Sequence, residues 1–428
     1  MNILDKFELF TSIVMNILTV IYAYQMIYIL ISVIKRKVKV LKETDERNKF
    51  AIFISARNEE SVISELLDSL KKQDYPKEDY DIYVVADNCN DQTASISRSK
   101  DVCVFERFNT EEVGKGYALN YLYTEVVSLK GRDYYDAFIV FDADNIVDRN
   151  FLKEVNKKWA THQYDALTTY RNSKNFGTSW LSAAYSTWYL HEARHLNYVR
   201  DMLGLQCMIS GTGFVVSNEI MNENDGWPYY LLTEDIQFSV VSTIEDKRIG
   251  YVDSAILYDE QVSTMNQSWK QRLRWAKGFY QIDARYLTSL TKGMVQSKGK
   301  KKFAFYDILM TCLPCTLLTV AMVAIAIWIL AAASFMPYYI SLVLRQEMIT
   351  FLTNILAGMW MTMFVLALIT VVSEWKRIPA TTSEKLKYLP LFPLYMLTYI
   401  PITLQAMFMD VKWTPIKHYS TSELAMKK

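Results

Sequence analysis

The chain has 428 residues, which is enough for two or three domains. Hydrophobic residues make up 51% of it, charged residues make up 22%, and the formal net charge is +1. This composition excludes a disordered chain, and five cysteines in this length do not form the pattern of a small disulfide-rich domain. The balanced charge gives no strongly basic surface, so we expect no nucleic-acid partner.

Four stretches contain no Asp, Glu, Lys or Arg, namely 9–34, 308–344, 348–373 and 388–409. Each is long enough to cross a bilayer, which needs ~20 mostly apolar residues. We therefore predict a transmembrane signal anchor at 1–34. We also predict two transmembrane helices within 303–373, joined by a short external loop at 334–348.

Basic residues at 35–39 follow the first apolar stretch, and such residues stay on the cytoplasmic side of a membrane. This places a soluble domain, 35–262, in the cytoplasm. Prolines interrupt 374–409, which we expect to be a cytoplasmic loop and a segment that lies at the interface or re-enters without crossing. With a cytoplasmic tail at 410–428, the sequence predicts a multi-pass protein of the cell membrane, in a bacterium the plasma membrane.

Short β-rich runs alternate with helical patterns in the soluble domain, which is typical of an α/β fold with a mostly parallel sheet. The predicted strands are 50–55, 81–87, 102–107 and 137–142, and the predicted helices between them include 60–71 and 116–127. Polar clusters follow the first, second and fourth strands. Ligands bind at the carboxyl ends of strands in open α/β sheets, so we expect the functional site there.

Region 263–302 combines aromatic residues such as Trp269 and Phe279 with basic ones such as Arg272 and Lys277. A basic, aromatic and amphipathic helix that precedes an apolar stretch favours a position at the bilayer surface.

Asp142 and Asp144 follow a buried-strand pattern as a D-x-D sequence. Two carboxylates at this position suit Mg²⁺ or Mn²⁺, although solvated acids at a strand end have the same pattern. Thr233, Glu234 and Asp235 form a second acidic site, in which Asp235 could act as a general base. Thr233 is also a candidate N-cap of a following helix.

Gln271, Arg274 and Trp275 lie together on the predicted interfacial helix. An arginine can bind diphosphate oxygens in a bidentate manner, and an indole can stack on a sugar ring. Lys115 could contact a phosphate, but the sequence around it lacks the spacing of a P-loop. Snorkelling arginines and interfacial tryptophans are the structural alternative.

Residues 191–195 spell H-E-x-x-H, the zinc-binding pattern of many metalloproteases. Only His162 and His418 remain as further histidines, so a third ligand would have to be a distant carboxylate. A zinc membrane protease therefore stays a minor alternative.

In this order, these motifs resemble those of the membrane-embedded, inverting family 2 glycosyltransferases, a group that includes cellulose, mixed-linkage glucan, chitin and hyaluronan synthases. The resemblance implies a GT-A-type domain inserted between transmembrane helices. It implies a nucleotide-binding acid at Asp87, a donor-binding lysine at Lys115, a metal site at Asp142 and Asp144, and a catalytic T-E-D at Thr233, Glu234 and Asp235. It also implies a Q-x-x-R-W motif at Gln271, Arg274 and Trp275 and an acceptor-bordering segment at Ser210, Gly211 and Thr212.

The resemblance favours processive transfer from a UDP-sugar, with UDP-glucose as the preferred donor, to a growing β-linked glucan that is secreted across the membrane. Mg²⁺ or Mn²⁺ would be the cofactor, and a homo-oligomer would widen a channel that three spans leave thin. Synthesis of an N-acetylglucosamine polymer or of hyaluronan, and single transfer to a glycolipid, remain open. A non-enzymatic membrane scaffold is a third class. Asn88-Cys89-Asn90 departs from the family's usual Gly-rich continuation after the nucleotide-binding acid.

Overall fold

The computed structural model describes residues 3–35, 40–313 and 316–426. Eight strands form one sheet in the order β3-β2-β1-β4-β7-β6-β8-β5. The strands are β1 Phe50–Ala56, β2 Tyr80–Asp87, β3 Cys103–Arg107, β4 Ala137–Asp142, β5 Ile146–Val147, β6 Ala166–Ser173, β7 Phe214–Ser217 and β8 Ile249–Asp259. β1 to β4 are mutually parallel where they pair, β7 is antiparallel to β4 and β6, and β6 is parallel to β8.

All four predicted strands are confirmed to within one residue at each end. β1 pairs with β2 on one side and β4 on the other. Most of its residues are buried, and its side chains alternate between the two faces of the sheet. Ile52 and Ile54 contribute to one core, whereas Phe53 contributes to the other together with Leu119. This two-residue period leaves the strand ends, rather than the faces, free for polar side chains.

The first nine helices in chain order are α1 Ile3–Ile34, α2 Ile63–Lys71, α3 Thr93–Ser99, α4 Lys115–Lys130, α5 Phe151–Trp159, α6 Trp180–His191, α7 Tyr198–Leu203, α8 Asn218–Glu223 and α9 Glu234–Ile244. The later helices are α10 Met265–Gln296, α11 Gly299–Cys312, α12 Thr316–Ala332, α13 Tyr338–Ser373, α14 Thr382–Tyr388, α15 Phe392–Leu397, α16 Tyr399–Phe408 and α17 Thr421–Met426. A π-helical turn, Glu192–Asn197, joins α6 to α7.

The expected amphipathic helix is present as α10, and it packs against α16 through Leu273, Ala276, Ile402 and Ala406. The helix stops at Gln296, within the predicted region 263–302, and α11 folds back onto it. A side chain at Gly293 would overlap the Phe305 ring, so the glycine permits this close approach. Residues 303–312 share a buried core with Ile282 and Leu290 of α10.

The expected external loop at 334–348 is also different in the structure, since α13 begins at Tyr338 and continues to Ser373. By length and composition, Tyr338–Ser373 and the broken helical segment Thr382–Phe408 are each able to cross a membrane, and Thr19–Ile34 and Val323–Phe335 are shorter apolar helices. The basic run at 36–39 lies outside the described residues.

A buried ionic network fixes α1 against the rest of the molecule. Arg200 on α7 donates two hydrogen bonds to Asp307 on α11, at 2.8 and 2.7 Å. The hydroxyls of Tyr24 and Tyr28 on α1 donate to the same carboxylate at 3.1 and 2.9 Å. Because both charged side chains are only 2% exposed, the two tyrosines complete the hydrogen bonding that burial of the pair requires.

Candidate active site

The carboxyl ends of β1, β2 and β4 open into a cavity of about 670 Å³. Asp87, Asp142 and Asp144 line it from the sheet, and Asp235 and Arg274 line it from α9 and α10. The structure therefore brings the motifs of the sequence together at one sheet edge. It does so because parallel strands end on the same side, where the chain must leave the sheet.

Asp142 is held between a lysine and a glycine-rich turn. Lys115 Nζ lies 2.5 Å from Asp142 Oδ1 and donates to the Gly211 carbonyl at 2.7 Å. Burial disfavours the charged lysine, but the carboxylates of Asp142, Glu234 and Asp235 outweigh it and raise the pKa of Lys115. The lysine thus remains a cation at the cavity wall.

Thr212 was expected at the cavity surface, but it is buried next to the D-x-D turn. Its hydroxyl accepts the Asp142 backbone N–H at 2.9 Å, and it donates to Asn145. Thr212 therefore orients the D-x-D turn and does not line the cavity.

Asp144 is buried beside two other acids, Asp259 and Glu260. Burial and repulsion from Asp144 raise the pKa of Asp259 to about 6, although Arg171 opposes this. Burial also raises the pKa of Glu260 to about 7. A divalent cation fits this site. The carboxylates here are partly removed from water and repel one another, and carboxylate oxygens are the ligands that such a cation prefers. Asp142 and Asp144 face the cavity and are the residues that would hold it.

Among the described residues, no three His, Cys, Asp or Glu side chains are already grouped around one metal position. Asp142 and Asp144 would thus supply only part of a coordination shell. Mg²⁺ and Mn²⁺ sites of this kind take the remaining ligands from water and substrate phosphates.

The C-terminal segment after α16 returns to the strand ends, which the sequence did not indicate. His418 Nδ1 lies 2.9 Å from a Glu59 carboxylate oxygen, and His418 Nε2 lies 3.9 Å from Asp144. Arg57 lies over the Trp413 ring at 5.1 Å. Burial opposes a charged imidazole, but Glu59 and Asp144 hold the pKa of His418 well above its usual value.

Asp87 forms a buried ion pair with Arg107 at 2.8 Å. Arg107, at the end of the neighbouring strand β3, was not singled out in the sequence. The pair orients Asp87 at the cavity wall, and Asn88, at a φ of 53°, turns the chain away from the strand end.

Glu234 and Asp235 begin α9, with Thr233 before them. Burial raises the pKa of both carboxyls, and the Asp235 carboxylate raises that of Glu234 further, whereas Lys115 opposes the rise at both. Asp235 Oδ2 accepts the Gly211 N–H at 2.6 Å. Thr233 occupies the predicted N-cap position of the helix, but its side chain makes no capping hydrogen bond.

Gln271, Arg274 and Trp275 all line the cavity from α10. Arg274 donates to the Leu232 carbonyl at 3.3 Å and lies close to Glu234 and Asp235. Gln271 Oε1 is buried without a hydrogen-bond partner in the described part of the chain. Trp275 contacts the rings of Tyr185 and Tyr189 edge to face, so its position is fixed by aromatic packing.

Ser210 and Gly211 connect two acids in the cavity. The Ser210 hydroxyl donates to Glu192 Oε2 at 3.1 Å, and the next residue donates its N–H to Asp235. Gly211 has a φ of 79°, which suits a glycine. Glu192 was noticed in the sequence only as the acid of the H-E-x-x-H pattern.

The two histidines of that pattern are core residues. His191 and His195 are buried, their ring centroids lie 5.3 Å apart, and His195 Nδ1 lies 2.5 Å from the Ser32 hydroxyl. Burial lowers the pKa of both imidazoles, so they are neutral. With no third ligand grouped beside them in residues 3–35, 40–313 and 316–426, the structure gives a zinc protease no support.

Residues 47–278 match the family model described as glycosyltransferase like family 2, which is more than half of the chain. The chain belongs to this family, and its α/β domain is of the GT-A type. The resemblance of its motifs is thereby confirmed at the level of the family.

Two relatives illustrate the range of this family. The chain is 26% identical over 265 residues to a beta-monoglucosyldiacylglycerol synthase of Synechocystis, covering 60% of this chain and 53% of the relative. It is 24% identical over 280 residues to a poly-beta-1,6-N-acetyl-D-glucosamine synthase of Staphylococcus epidermidis, covering 65% and 66%. The chain thus matches about half of the length of the first of these relatives.

The fold is similar to that of the mannosyltransferase PcManGT of Pyrobaculum calidifontis, solved in complex with GDP-Man and Mn²⁺. The TM-score is 0.55 at 18% identity, and the match covers 86% of this chain and 99% of the other. At this identity the likeness concerns the fold alone.

Proposed function

We propose that the chain is an inverting glycosyltransferase that moves one sugar from a nucleotide-sugar, with UDP-glucose favoured, to a hydroxyl of a lipid acceptor at a membrane. One observation carries this proposal. The cavity that holds the carboxylates is also lined by methionines and leucines of the C-terminal helices.

We call this surface the apolar wall. It consists of Met310 on α11 and Leu313 just after it, Met359, Met363 and Leu366 on α13, Met396 and Leu397 on α15, and Ile400 on α16. Unbranched methionine side chains adapt to flexible hydrocarbon chains. A growing polysaccharide would instead need hydroxyl-binding groups along its path, because each buried sugar hydroxyl without a partner is costly. The apolar wall therefore favours a lipid over a glucan.

The donor half of the reaction belongs to the strand ends. We expect Asp87 to bind the nucleoside, and Lys115 and Arg274, which line the same cavity, to bind the diphosphate. A divalent cation on Asp142 and Asp144 would neutralise the charge that the departing nucleoside diphosphate gains. Gln271, with its unpaired Oε1, is available to accept a hydrogen bond from a donor-sugar hydroxyl.

Asp235 is the base in this proposal. Its carboxylate takes the proton of the acceptor hydroxyl while the acceptor oxygen forms a bond to C1 of the sugar and the bond from C1 to the diphosphate oxygen breaks. Attack from the side opposite the leaving group inverts C1, so an α-linked donor gives a β-linked product. The Gly211 N–H, donating to Oδ2, orients the carboxylate.

The α13 surface supports a membrane location. Its outward residues include Ile349, Leu356, Met361, Leu368 and Val372, all of them exposed. Several exposed apolar side chains along one helix indicate contact with lipid or with another apolar surface. We propose that the domain lies on the cytoplasmic side, with the apolar wall at the level of the bilayer.

Processive synthesis of a β-linked polymer is the second candidate. The relation to the poly-N-acetylglucosamine synthase supports it, as does Trp275, an aromatic residue in the cavity lining that could stack on a sugar ring. Under this alternative the apolar wall would line a path for the polymer.

The proposal is tested with the full chain in detergent micelles, using UDP-glucose and Mg²⁺ or Mn²⁺. UDP release is measured with and without a lipid extract, for the wild type and for Asp235→Asn. We expect lipid-dependent UDP release that the substitution abolishes while UDP binding stays within a factor of about two, since Asn keeps the shape of the side chain and loses its basicity. Equal UDP release without lipid, or substantial turnover by Asp235→Asn, would contradict the proposal.

A further inference from the structure

Glu192 is a carboxylate in the cavity that the proposed mechanism leaves unused. It lies at the start of the π-helical turn, one turn after Trp188 and one before Leu196, and all three line the cavity. In the described structure, its carboxylate accepts a single hydrogen bond, from Ser210. A π-helical turn interrupts the regular spacing of a helix and is frequent at functional sites, because it redirects one side chain.

Two adjacent residues, Ser210 and Gly211, link Glu192 to Asp235. The Ser210 hydroxyl binds Glu192 at 3.1 Å, and the Gly211 N–H binds Asp235 at 2.6 Å. Two carboxylates held by adjacent residues face the same part of the cavity. An acceptor whose reactive hydroxyl meets Asp235 therefore presents its neighbouring atoms to Glu192.

The charges around Glu192 disfavour an anionic acceptor. Glu192, Glu234 and Asp235 are all near this point, and Arg274 beside them is assigned to the diphosphate in the proposed function. The two arginines that act on Glu192 are each paired with another acid. Arg171 is paired with Asp259, and Arg200 is paired with Asp307. Phosphate at the acceptor head would meet like charges, while a hydroxyl would meet hydrogen-bond acceptors.

We propose that Glu192 accepts a hydrogen bond from a second hydroxyl of the acceptor, next to the hydroxyl that Asp235 deprotonates. The acceptor is then a neutral lipid with a polyol head, such as a monoacylated or glycosylated glycerol, rather than a lipid with a single hydroxyl. This inference rests on the proposed function and narrows its acceptor class. Burial raises the pKa of Glu192 to about 7, and a hydroxyl donor would favour its ionised form.

The test uses two acceptors that differ in one group, a 1-monoacylglycerol and its 2-O-methyl ether, with UDP-glucose and the full chain. The ether keeps the 3-hydroxyl and the acyl chain but cannot donate from position 2. We expect wild-type kcat/KM for the diol to exceed that for the ether by about tenfold or more, since a hydrogen bond to a charged group contributes on this order. Glu192→Ala should bring this ratio close to one.

Glu192→Gln is the companion variant, because its amide oxygen still accepts a hydrogen bond and preserves the side-chain volume. It should keep part of the preference for the diol, since a neutral acceptor binds more weakly than a carboxylate. UDP affinity and the thermal unfolding midpoint of both variants identify any loss caused by misfolding.

The possible outcomes separate the two proposals. Equal wild-type kcat/KM for both lipids, or an unchanged ratio in Glu192→Ala, overturns the role of Glu192 while single transfer to lipid stands. If the wild type consumes UDP-glucose but glycosylates neither lipid, the proposed function fails as well.

Discussion

The titration of Asp235 is the residue property on which the proposed reaction depends most. Burial raises the pKa of this carboxyl above that of an ordinary aspartate, about 3.9, and Glu234 beside it is affected in the same direction. A general base must be deprotonated before it can accept a proton. Activity should therefore fall on the acidic side at a higher pH than an exposed aspartate would give.

A pH profile of kcat/KM for the acceptor measures this directly. Lys115→Met removes a nearby positive charge that favours the ionised form of Asp235, so the acidic limb should move to higher pH in that variant. An acidic limb near pH 4 in the wild type, or no shift in Lys115→Met, would contradict the environment that we describe for Asp235.

The residues of the site were predicted to different degrees. Asp142, Asp144 and Asp235 follow recognisable local patterns, and the structure brings them to one cavity. His418 could not be placed in the same way, because the histidine and its partner Glu59 are 359 positions apart and no local pattern links them. Glu192 was identified within a zinc-binding pattern, and only the fold relates it to Ser210.

At the scale of elements, the parallel half of the sheet was predictable and the other half was not. β1, β2 and β4 are apolar runs that end in polar clusters, the usual signature of buried parallel strands. β8 contains charged residues and a bulge where its register to β6 shifts. Such a strand lacks the regular alternation from which it could be predicted.

The ionic network around Asp307 makes a prediction for the docking of α1, α7 and α11. Asp307→Asn leaves the buried Arg200 charge without its partner, which should lower the free energy of unfolding by about 3–5 kcal/mol. Denaturant titration of the purified chain in detergent, followed by tryptophan fluorescence, measures the change.

Asp246→Asn is the matched control, because the Asp246 carboxylate pairs with Lys301 at an exposed position. Exposed pairs contribute little to stability. Equal effects of the two substitutions would mean that the Arg200 pair does not hold these helices together.

For the whole molecule, the apolar wall should act as the acceptor entrance. Met363→Trp places a larger side chain in the cavity and should lower lipid glycosylation by about tenfold or more, with UDP-glucose hydrolysis in the absence of lipid unchanged. Met361→Trp, on the exposed side of the same helix, is the control and should leave lipid glycosylation unchanged. A similar loss in both variants would indicate a general effect on α13.

The mean hydropathy of +0.02 is that of an ordinary soluble protein. It averages a polar α/β domain and C-terminal helices of which two segments are able to cross a membrane by length and composition. The sequence separated these two parts but favoured a polymer as the product. We propose a lipid product instead, because the apolar wall lines part of the cavity.

The mass of the product tests the central claim most directly. The wild-type chain is incubated with UDP-glucose, a divalent cation and a neutral glycerolipid, and the products are separated into lipid-soluble and water-soluble fractions for mass spectrometry. The proposal predicts a lipid-soluble product heavier than the acceptor by a single hexose residue. A ladder of added hexoses, or a polymer without lipid, would contradict it.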